Sequence, residues 1–451
     1  MYRYSLLFAS LVAAVMFSGY SRIYGADFAG GSGTPNDPYQ ITTREHLLSI
    51  NSDAELLDAF FVLEADIDLN PSLPGGSVFS RAVILVSESA RSGFSGSFNG
   101  NSHKISNLVI DNSALQNPAG TVGAGLFERI ELKGRIRNLN IDNAEVSSRG
   151  ESFCGSLAGV NYGAVWHCTS TGTVEGETAY AGGLIGLSSE GGLVAHCSSI
   201  ADVTGRVAGG LIGASFHGLI VHCSSTSDVA GVTAGGIVGM TDSVVKCCHA
   251  TGNVQGDHTA GGLVGEAIPP APLIISCHTD GHVTSEGDIL AAAGGLVGRT
   301  SAGKIVTSYS TSHVIGQYAG GLVGDSRIPY LVLFNCYASG DVTSLPFEGS
   351  MFGSSGGLVG FSGTATGATS CFWNTEVSGM DLGLGHPEHF PVPPQPQDAT
   401  GLHTGEMQKA ETFIRKGWDF ESTWTICEND YPRLAWEQIS CRDPNVLAGD
   451  L

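Results

Sequence analysis

The sequence feature that most constrains the fold is a glycine pair, followed by two apolar residues and a third glycine, that returns along the chain. Seven copies read GGLIG, GGIVG or GGLVG and begin at Gly182, Gly209, Gly235, Gly261, Gly294, Gly320 and Gly356. Successive copies lie 27, 26, 26, 33, 26 and 36 residues apart, and weaker copies precede them near Gly155 and Gly125. A fixed period of this length is typical of a stacked repeat architecture.

Each repeat has a second half in which single apolar residues alternate with Gly, Ser and Asp. A valine column marks this half, formed by Val174, Val203, Val229, Val254, Val283, Val314 and Val342. Short β-branched runs between turn residues favour short strands over helices. A coil of 26 residues, at about 3.3 Å per residue, is roughly 86 Å long and suits three short faces. We therefore predict an all-β parallel solenoid, with seven to nine coils stacked into a rod of roughly 34 to 43 Å.

The repeat, in which GG[LI][IV]G is followed by C/S-x-x-x-G-x-V, resembles the GLUG motif of secreted and surface-attached bacterial proteins. The flanking segments are similar to those of that family as well. They are residues 30–50, 61–70 and 94–110 before the repeats, and 371–381, 400–408, 417–420 and 431–436 after them. The resemblance implies a right-handed β-helix-like rod, and the family pattern brings no catalytic residues with it.

Residues 1–25 have the form of a secretory signal peptide, with an uncleaved anchor as the alternative. Arg3 precedes an apolar run from Leu6 to Phe17, and small residues follow at Gly25 and Ala26. We therefore expect a secreted or cell-surface protein. The net charge of −22 argues against nucleic acid or an anionic membrane surface as a partner, because their phosphates would be repelled.

Small α/β caps are expected at both ends of the solenoid, because open coil ends would invite aggregation. Residues 26–120 are predicted to form the N-terminal cap and first coils, with a helix whose capping box joins Thr42 to Glu45. Residues 121–381 carry the repeats, and the proline-rich stretch 382–400 is predicted to be a loop. Residues 401–451 are predicted to form a C-terminal cap with a helix starting near Thr404. The aromatic residues of this cap either pack on the last coil or expose a small sugar-binding surface.

Seven cysteines recur at a nearly constant distance after their glycine pairs, and Tyr309 lies near this place in the unit that lacks one. The column consists of Cys168, Cys197, Cys223, Cys248, Cys277, Cys336 and Cys371. Stacked at about 4.8 Å, they are interpreted as an interior ladder of free thiols, although disulfides between some neighbouring coils stay open. Cys427 and Cys441 lie outside the repeats and are the best disulfide candidates.

Two further rows of polar residues raise the question of a metal site. Histidines precede three column cysteines, at His167, His196 and His222. They predict a histidine stack on the outer surface, with a metal ion held by three imidazoles as the alternative. An Asp or Asn precedes the valine column at Asp202, Asp228, Asn253 and Asp341. We interpret these as turn-forming residues, with Ca²⁺ binding as the alternative, and predict no metal ligand, cofactor ligand or catalytic residue.

The expected function is that of a non-catalytic, exported adhesion or scaffold module, with extracellular polysaccharide or another surface protein as its partner. A phosphate-binding loop would need a Lys and a Ser or Thr after the glycines, and these are absent. The alternative is a polysaccharide lyase or glycoside hydrolase on the same rod. A cleft with two or more carboxylates and an Arg or Lys, beside the inserts at 266–273 or 344–355, would favour the enzyme.

Overall fold

The computed structural model describes residues 28–86, 92–112, 123–149, 153–270, 272–287, 290–326, 331–346, 353–363, 366–386, 396 and 398–438. The predicted signal peptide at residues 1–25, most of the proline-rich loop and Cys441 lie outside these residues. Coils stack in parallel through the repeats, and this confirms the predicted all-β solenoid. The strands of the described residues pair in parallel, except in one antiparallel C-terminal hairpin that joins Trp424–Thr425 to Arg433–Leu434.

The first face of the solenoid is a sheet of nine strands, each starting directly after the third residue of a GGL-type unit or its weaker copy. Register is kept from coil to coil, so that Ile185 pairs with Ile212 and Ile212 with Val238. The strands are Phe127–Ile130, Ala158–Asn161, Ile185–Ser188, Ile212–Ser215, Val238–Thr241, Val264–Ala267, Val297–Thr300, Val323–Ser326 and Val359–Ser362. The nine strands agree with the upper end of the predicted number of coils.

The second face carries one short strand per coil, and each strand directs at least one buried residue into the core. Three strands of the N-terminal region begin this face, namely Tyr39–Ile41, Phe60–Leu63 and Ser97–Asn99. The nine that follow are Arg135–Arg137, Ala164–Trp166, Leu193–Ala195, Leu219–Val221, Val244–Lys246, Leu273–Ile275, Gly303–Val306, Leu331–Phe334 and the start of Gly367–Asn374. The face is therefore continuous from the N-terminal cap to the last coil.

The remaining strands close each coil through the valine column, which is buried along its whole length. Short strands follow the corner after the second face: Ile67–Asp68, Lys104–Ser106, Ser198–Ser199, Ser224–Ser225, His249–Ala250, His278–Thr279, Tyr309–Ser310 and Tyr337–Ala338. The strands that return to the glycine pairs are Val109–Asp111 with Gly123–Ala124, Asn140–Ser148 with Phe153–Gly155, and the unbroken strands Thr169–Gly182, Asp202–Gly209, Val229–Gly235 and Val254–Gly261. In the last coils this return is split in two: His282–Ser285 with Ala292–Gly294, His313–Gly316 with Tyr318–Gly320, and Val342–Ser344 with Ser354–Gly356.

The corner after the second face has the same backbone conformation in nine successive coils. Its residue lies in the left-handed region, with φ between 51° and 53° in the set Asn138, His167, His196, His222, Cys247, Ser276, Thr307, Asn335 and Ser370. This conformation costs a residue other than glycine roughly 1–2 kcal/mol. Hydrogen bonds between coils offset the cost, as where the His196 backbone N–H donates to the Val221 carbonyl at 3.0 Å. The sharp corner is thus maintained by the stack rather than by the residue type.

The N-terminal cap contains one short α-helix, Arg44–Leu48, and two 3₁₀ turns, Ser49–Ser52 and Ala54–Asp58. The predicted capping residue is wrong by one position, because Thr43 and not Thr42 is the N-cap. Thr43 has extended backbone angles, and its side chain accepts the His46 N–H at 3.3 Å. Leu47 is buried on the inner side of this helix.

The C-terminal segment, residues 398–438, begins by extending the last coil and then packs along the side of the rod. Its strand Asp398–Leu402 pairs with Gly367–Asn374. Helix Thr375–Ser378 precedes this segment, which contains helices Thr404–Met407 and Ala410–Ile414 and the 3₁₀ turn Ala435–Glu437. The predicted single helix is thus two short ones, and the first is preceded by His403 as N-cap. Cys427 is disulfide-bonded.

Aromatic stacking attaches the C-terminal segment to the solenoid. His249, His278, Tyr309 and Tyr337 stack on successive coils with ring centroids 4.9–5.0 Å apart. Trp436 packs over His249 and His278 at 5.9 and 5.5 Å and donates its indole N–H to the Ser276 carbonyl. The large rings of the segment therefore stabilise its attachment to the side of the coils.

A buried polar group lies beside these rings. The Tyr309 hydroxyl donates to the Glu437 carboxylate at 3.0 Å and accepts from Arg433 at 3.1 Å. Burial raises the pKa of Glu437. Burial, together with the positive charges of His249 and Arg433, lowers the pKa of His278 to about 3. His278 is therefore neutral in the folded protein over most of the pH range.

Replacing Gly182 with valine should destabilise the solenoid by about 3 kcal/mol or more, because overpacking forces the backbone apart. A Cβ at this position would overlap the Ile185 carbonyl oxygen and the Gly213 nitrogen of the next coil. Thermal unfolding followed by circular dichroism measures the effect. The matched control is Gly367→Ala, where the nearest atom to an added Cβ is 4.0 Å away. Equal melting temperatures for the two variants would contradict the account.

Acid should weaken the fold through His278. In the unfolded chain His278 is protonated below about pH 6.5, whereas in the folded protein it is protonated only below about pH 3. Protonation therefore favours the unfolded state, and the free energy of unfolding decreases as the pH falls from about 6.5 to about 3. The loss is at most about 1.4 kcal/mol per pH unit. Urea unfolding followed by tryptophan fluorescence should show a steeper decline for the wild type than for His278→Asn, since Asn140 occupies the same column. The raised pKa of Glu437 makes the folded state more stable as the pH falls, and it does so in both the wild type and the variant. Parallel pH profiles of the two proteins would therefore exclude the role of His278.

Candidate binding surfaces

The most unusual surface of the rod is the outward side of the second face. Each of its nine repeat strands has two outward positions, as the burial of Ile136, Val165 and Ile220 between their more exposed neighbours shows. The outward positions form two columns of nine. The first column is Arg135, Ala164, Leu193, Leu219, Val244, Leu273, Lys304, Val332 and Gly367. The second is Arg137, Trp166, Ala195, Val221, Lys246, Ile275, Val306, Phe334 and Thr369.

We call these two columns the outer face. Twelve of the eighteen side chains are apolar, four are basic and none is acidic, although the chain has 43 acidic residues and 21 basic ones. Leu219, Val332 and Phe334 are 38%, 40% and 42% exposed. Contiguous exposed apolar surface on a soluble protein is typical of an interaction site. The outer face is thus the strongest candidate for a binding surface among the described residues.

The outer face was not predicted from the sequence, although a signal for it is present. The strands read AVW, LVA, LIV, LII and LVLF, with apolar residues at successive positions rather than at alternate ones. Continuous apolar runs are typical of parallel strands that are covered on both sides. Here the inner side is covered by the core, while the outer side remains accessible.

The predicted histidine stack is present at the edge of the outer face. His167, His196 and His222 are exposed, with ring centroids 4.8 and 4.9 Å apart and nearly parallel planes. Two nitrogens bound to one tetrahedral Zn²⁺ lie only about 3.3 Å apart, given Zn–N distances near 2.0–2.1 Å. The stacked rings therefore do not converge on one ion. In the described part of the chain, no group of three or more His, Cys, Asp or Glu side chains is placed to hold a metal.

The Asp and Asn residues that precede the valine column make hydrogen bonds and an ion pair with other parts of the solenoid. The Asp228 carboxylate accepts the backbone N–H of Asn253 at 3.0 Å, and the Asn253 carbonyl accepts the N–H of Val229. Asp341 forms an ion pair with His313 at 2.9 Å, and Asp202 begins a strand on the exposed surface. The contacts of Asp228 and Asp341 join neighbouring coils, so the turn-forming interpretation of Asp202, Asp228, Asn253 and Asp341 stays a prediction.

The cysteine column is interior, as predicted, and its seven members are free and buried. Each thiol lies against the carbonyl two residues before it, as with Cys197 and Ala195 at 3.2 Å. Ser308, rather than the neighbouring Tyr309, fills the position in the coil without cysteine and bonds to Val306 in the same way. Burial raises the pKa of the Cys248 thiol. The column therefore packs the corner of the coil, with its thiols buried.

A second surface feature is an open groove of about 780 Å³ on the valine side of the rod. Its lining residues are Ser147, Ser148, Arg149, Glu175, Gly176, Glu177, Thr204, Gly205, Arg206, Ala230, Gly231, Val232, Gln255 and Asp257. Arg149 and Glu177 form an ion pair at 3.5 Å, with both side chains about two-thirds exposed. The groove brings together carboxylates and arginines, but its described lining includes no residue of the inserts at 266–273 or 344–355.

The C-terminal aromatic residues do not form an exposed sugar platform. Trp418 and Trp424 are 3% and 2% exposed and stack on each other at 4.3 Å. Phe413 packs against Trp418 and against Phe372 of the last coil. The structure therefore favours the packing interpretation of these rings over the sugar-binding one.

Among the described residues, no helix is both long and apolar enough to span a bilayer. No family model matches the chain. Halomucin of Haloquadratum walsbyi is 35% identical over 162 residues, which are 35% of this chain and 2% of Halomucin. A candidate Gly-rich membrane protein of Evansella cellulosilytica is 32% identical over 157 residues, which are 34% of this chain and 17% of that protein. The chain thus matches much less than two thirds of either relative's length.

One solved structure is similar over most of its length but at low identity. It is the crystal structure of a candidate immunoglobulin A1 protease from Bacteroides ovatus, with 20% sequence identity and a TM-score of 0.38. The similarity covers 91% of this chain and 95% of that one. The fold assignment of this protein rests on its own coil register, described above.

Proposed function

We propose that this protein is a secreted or cell-surface β-solenoid that serves, without catalysis, as an adhesion or scaffold module. The outer face is the observation that carries the proposal. It spans nine strands, its outward positions are mostly apolar and include no acidic residue, and Leu219, Val332 and Phe334 are exposed on it. Such a surface suits an extended extracellular partner, either a polysaccharide or another surface protein.

Two sources support the extracellular location. The form of residues 1–25 predicts export, and the resemblance of the repeats to the GLUG motif predicts a protein of the secreted or surface-attached class. One relative carries a mucin name and the other the name of a membrane protein. A rod of nine rigid coils also suits a spacer that displays its binding surface away from the cell.

Substitution of the exposed apolar residues on the outer face should weaken partner binding. The variant is Leu219→Thr, Val332→Thr and Phe334→Thr combined, and threonine preserves the strand propensity of each site. We expect an affinity loss of about tenfold or more on an array of extracellular glycans and matrix proteins. The reason is that the contact area is lost while the inward core residues are unchanged.

The control is Ile200→Thr, which removes an apolar side chain that is 61% exposed outside the outer face. This variant should bind as the wild type does. Loss of binding in Ile200→Thr together with full binding by the triple variant would place the interaction elsewhere on the rod. Release of reducing or unsaturated sugar ends from the array glycans would contradict the non-catalytic role.

A polysaccharide lyase or glycoside hydrolase is the second candidate function, and the groove is the observation that favours it. Glu175, Glu177 and Asp257 line it together with Arg149 and Arg206. If the groove were catalytic, Glu175→Gln or Glu177→Gln would abolish sugar release while leaving array binding intact. The open, solvated position of the Arg149–Glu177 pair gives little of the water exclusion that strengthens catalytic electrostatics, so the binding function is preferred.

A further inference from the structure

Five successive coils each place a nitrogen-bearing side chain at the same edge of the outer face. Arg137 and Lys246 end the second-face strands of the first and the fifth of these coils. His167, His196 and His222 occupy the corners of the three coils between them. All five residues are exposed, and at about 4.8 Å per coil the row is roughly 19 Å long. We call these five residues the basic row.

Other residues adjoin the basic row near both of its ends. A small pocket of about 330 Å³ lies near one end, lined by Ser102, Asn138, Asn140 and His167. Amide and hydroxyl groups line it, so it offers hydrogen-bond donors and acceptors to a polar ligand. Near the other end the Trp436 indole stands edge-on to His222, with ring centroids 6.4 Å apart and planes at 88°. The row thus has a polar pocket beside His167, its second residue, and an aromatic side chain beside His222, its fourth residue.

The charges of the basic row favour an anionic ligand. Arg137 and Lys246 are cationic, the imidazoles can donate hydrogen bonds, and the outward positions of the nine strands contain no Asp or Glu. The net charge of −22 repels anions at long range. This repulsion is screened beyond about 8 Å at physiological ionic strength, so a ligand in contact with the row responds mainly to the local charges.

The regular spacing along one axis favours a linear polymer over a folded partner. Trp166 and Leu193 lie beside the row on the outer face, and their hydrocarbon surfaces suit the C–H faces of sugar rings. A second copy of this chain fits less well. Lys246 is on the fifth of the nine strands, so antiparallel face-to-face packing would bring it against its own counterpart, and like charges in contact are destabilising.

We infer that the basic row binds a linear anionic polysaccharide, whose carboxylate or sulfate groups contact Arg137, Lys246 and the three histidines. This inference rests on the proposed binding function of the outer face and names its ligand. The polymer lies along the rod axis and crosses the five coils. Its sugar rings pack on Trp166 and the apolar side chains beside it.

The test uses the purified full chain and surfaces coated with alginate as the probe. The first variant combines Arg137→Glu and Lys246→Glu, and the second combines His167→Asn, His196→Asn and His222→Asn. Asparagine is compatible with the corner, because Asn138 and Asn335 occupy the same position in other coils with φ of 52° and 51°. Each variant should bind alginate about tenfold more weakly than the wild type, and wild-type binding should weaken as salt is raised.

Lys409→Glu combined with Arg415→Glu is the matched control, since it makes the same change of charge at two exposed residues outside the outer face. It should bind alginate within about twofold of the wild type. Circular dichroism melting curves of all variants separate loss of binding from loss of folding. Equal weakening by the Lys409→Glu, Arg415→Glu variant would show a diffuse charge effect and overturn the assignment to the row.

Three comparison surfaces separate this inference from the proposed function. Dextran supplies a neutral polysaccharide, polyglutamate an acidic polypeptide, and phosphatidylglycerol vesicles an anionic lipid. Wild-type binding to dextran, polyglutamate or vesicles at least as tight as to alginate would overturn the inference and leave the adhesion function standing. Failure to bind any of these surfaces or any array component would contradict both.

Discussion

The close parallel approach of one coil to the next is the constraint on which the rest of the structure depends. At the glycine pairs, the backbone of each coil lies so near its neighbour that a Cβ at Gly182 or Gly209 would overlap backbone atoms of the adjacent coil. Because this contact recurs in every repeat, the coils keep one register. Register then stacks each residue on its counterpart one coil away.

Stacking in register turns a residue that is repeated in the sequence into a column in space. Valine and cysteine columns fill the interior, and their burial supplies the hydrophobic stabilisation of the rod. Histidine, basic and apolar columns form on the surface by the same mechanism. A linear surface made in this way suits a linear partner, and this links the architecture to the proposed polysaccharide ligand.

Much of the fold was predictable from the sequence because the repeat leaves few alternatives. The interior thiol ladder and the histidine stack follow from spacing alone, since strand separation in a parallel sheet is fixed by hydrogen bonding. Local details were less accurate: the N-cap is Thr43 rather than Thr42, and the C-terminal helix is broken into two. These depend on backbone angles that are set by contacts with the coils, which a local pattern does not contain. The candidate binding surface was missed, because strands such as LIV and LII appear fully buried in sequence.

The sequence by itself determined the repeat length, the all-β class and the identity of the columns, because glycine, valine and cysteine recur at a nearly constant period. Only the tertiary structure decided which columns face solvent. Leu219 and Ile220 are adjacent and both apolar, yet one is 38% exposed and the other is buried. The pleat sends them to opposite sides of the strand, and only the closed coil defines which side is the interior. It also decided that Trp436 packs on the side of the rod, since Trp436 contacts coils that are far from it in the sequence.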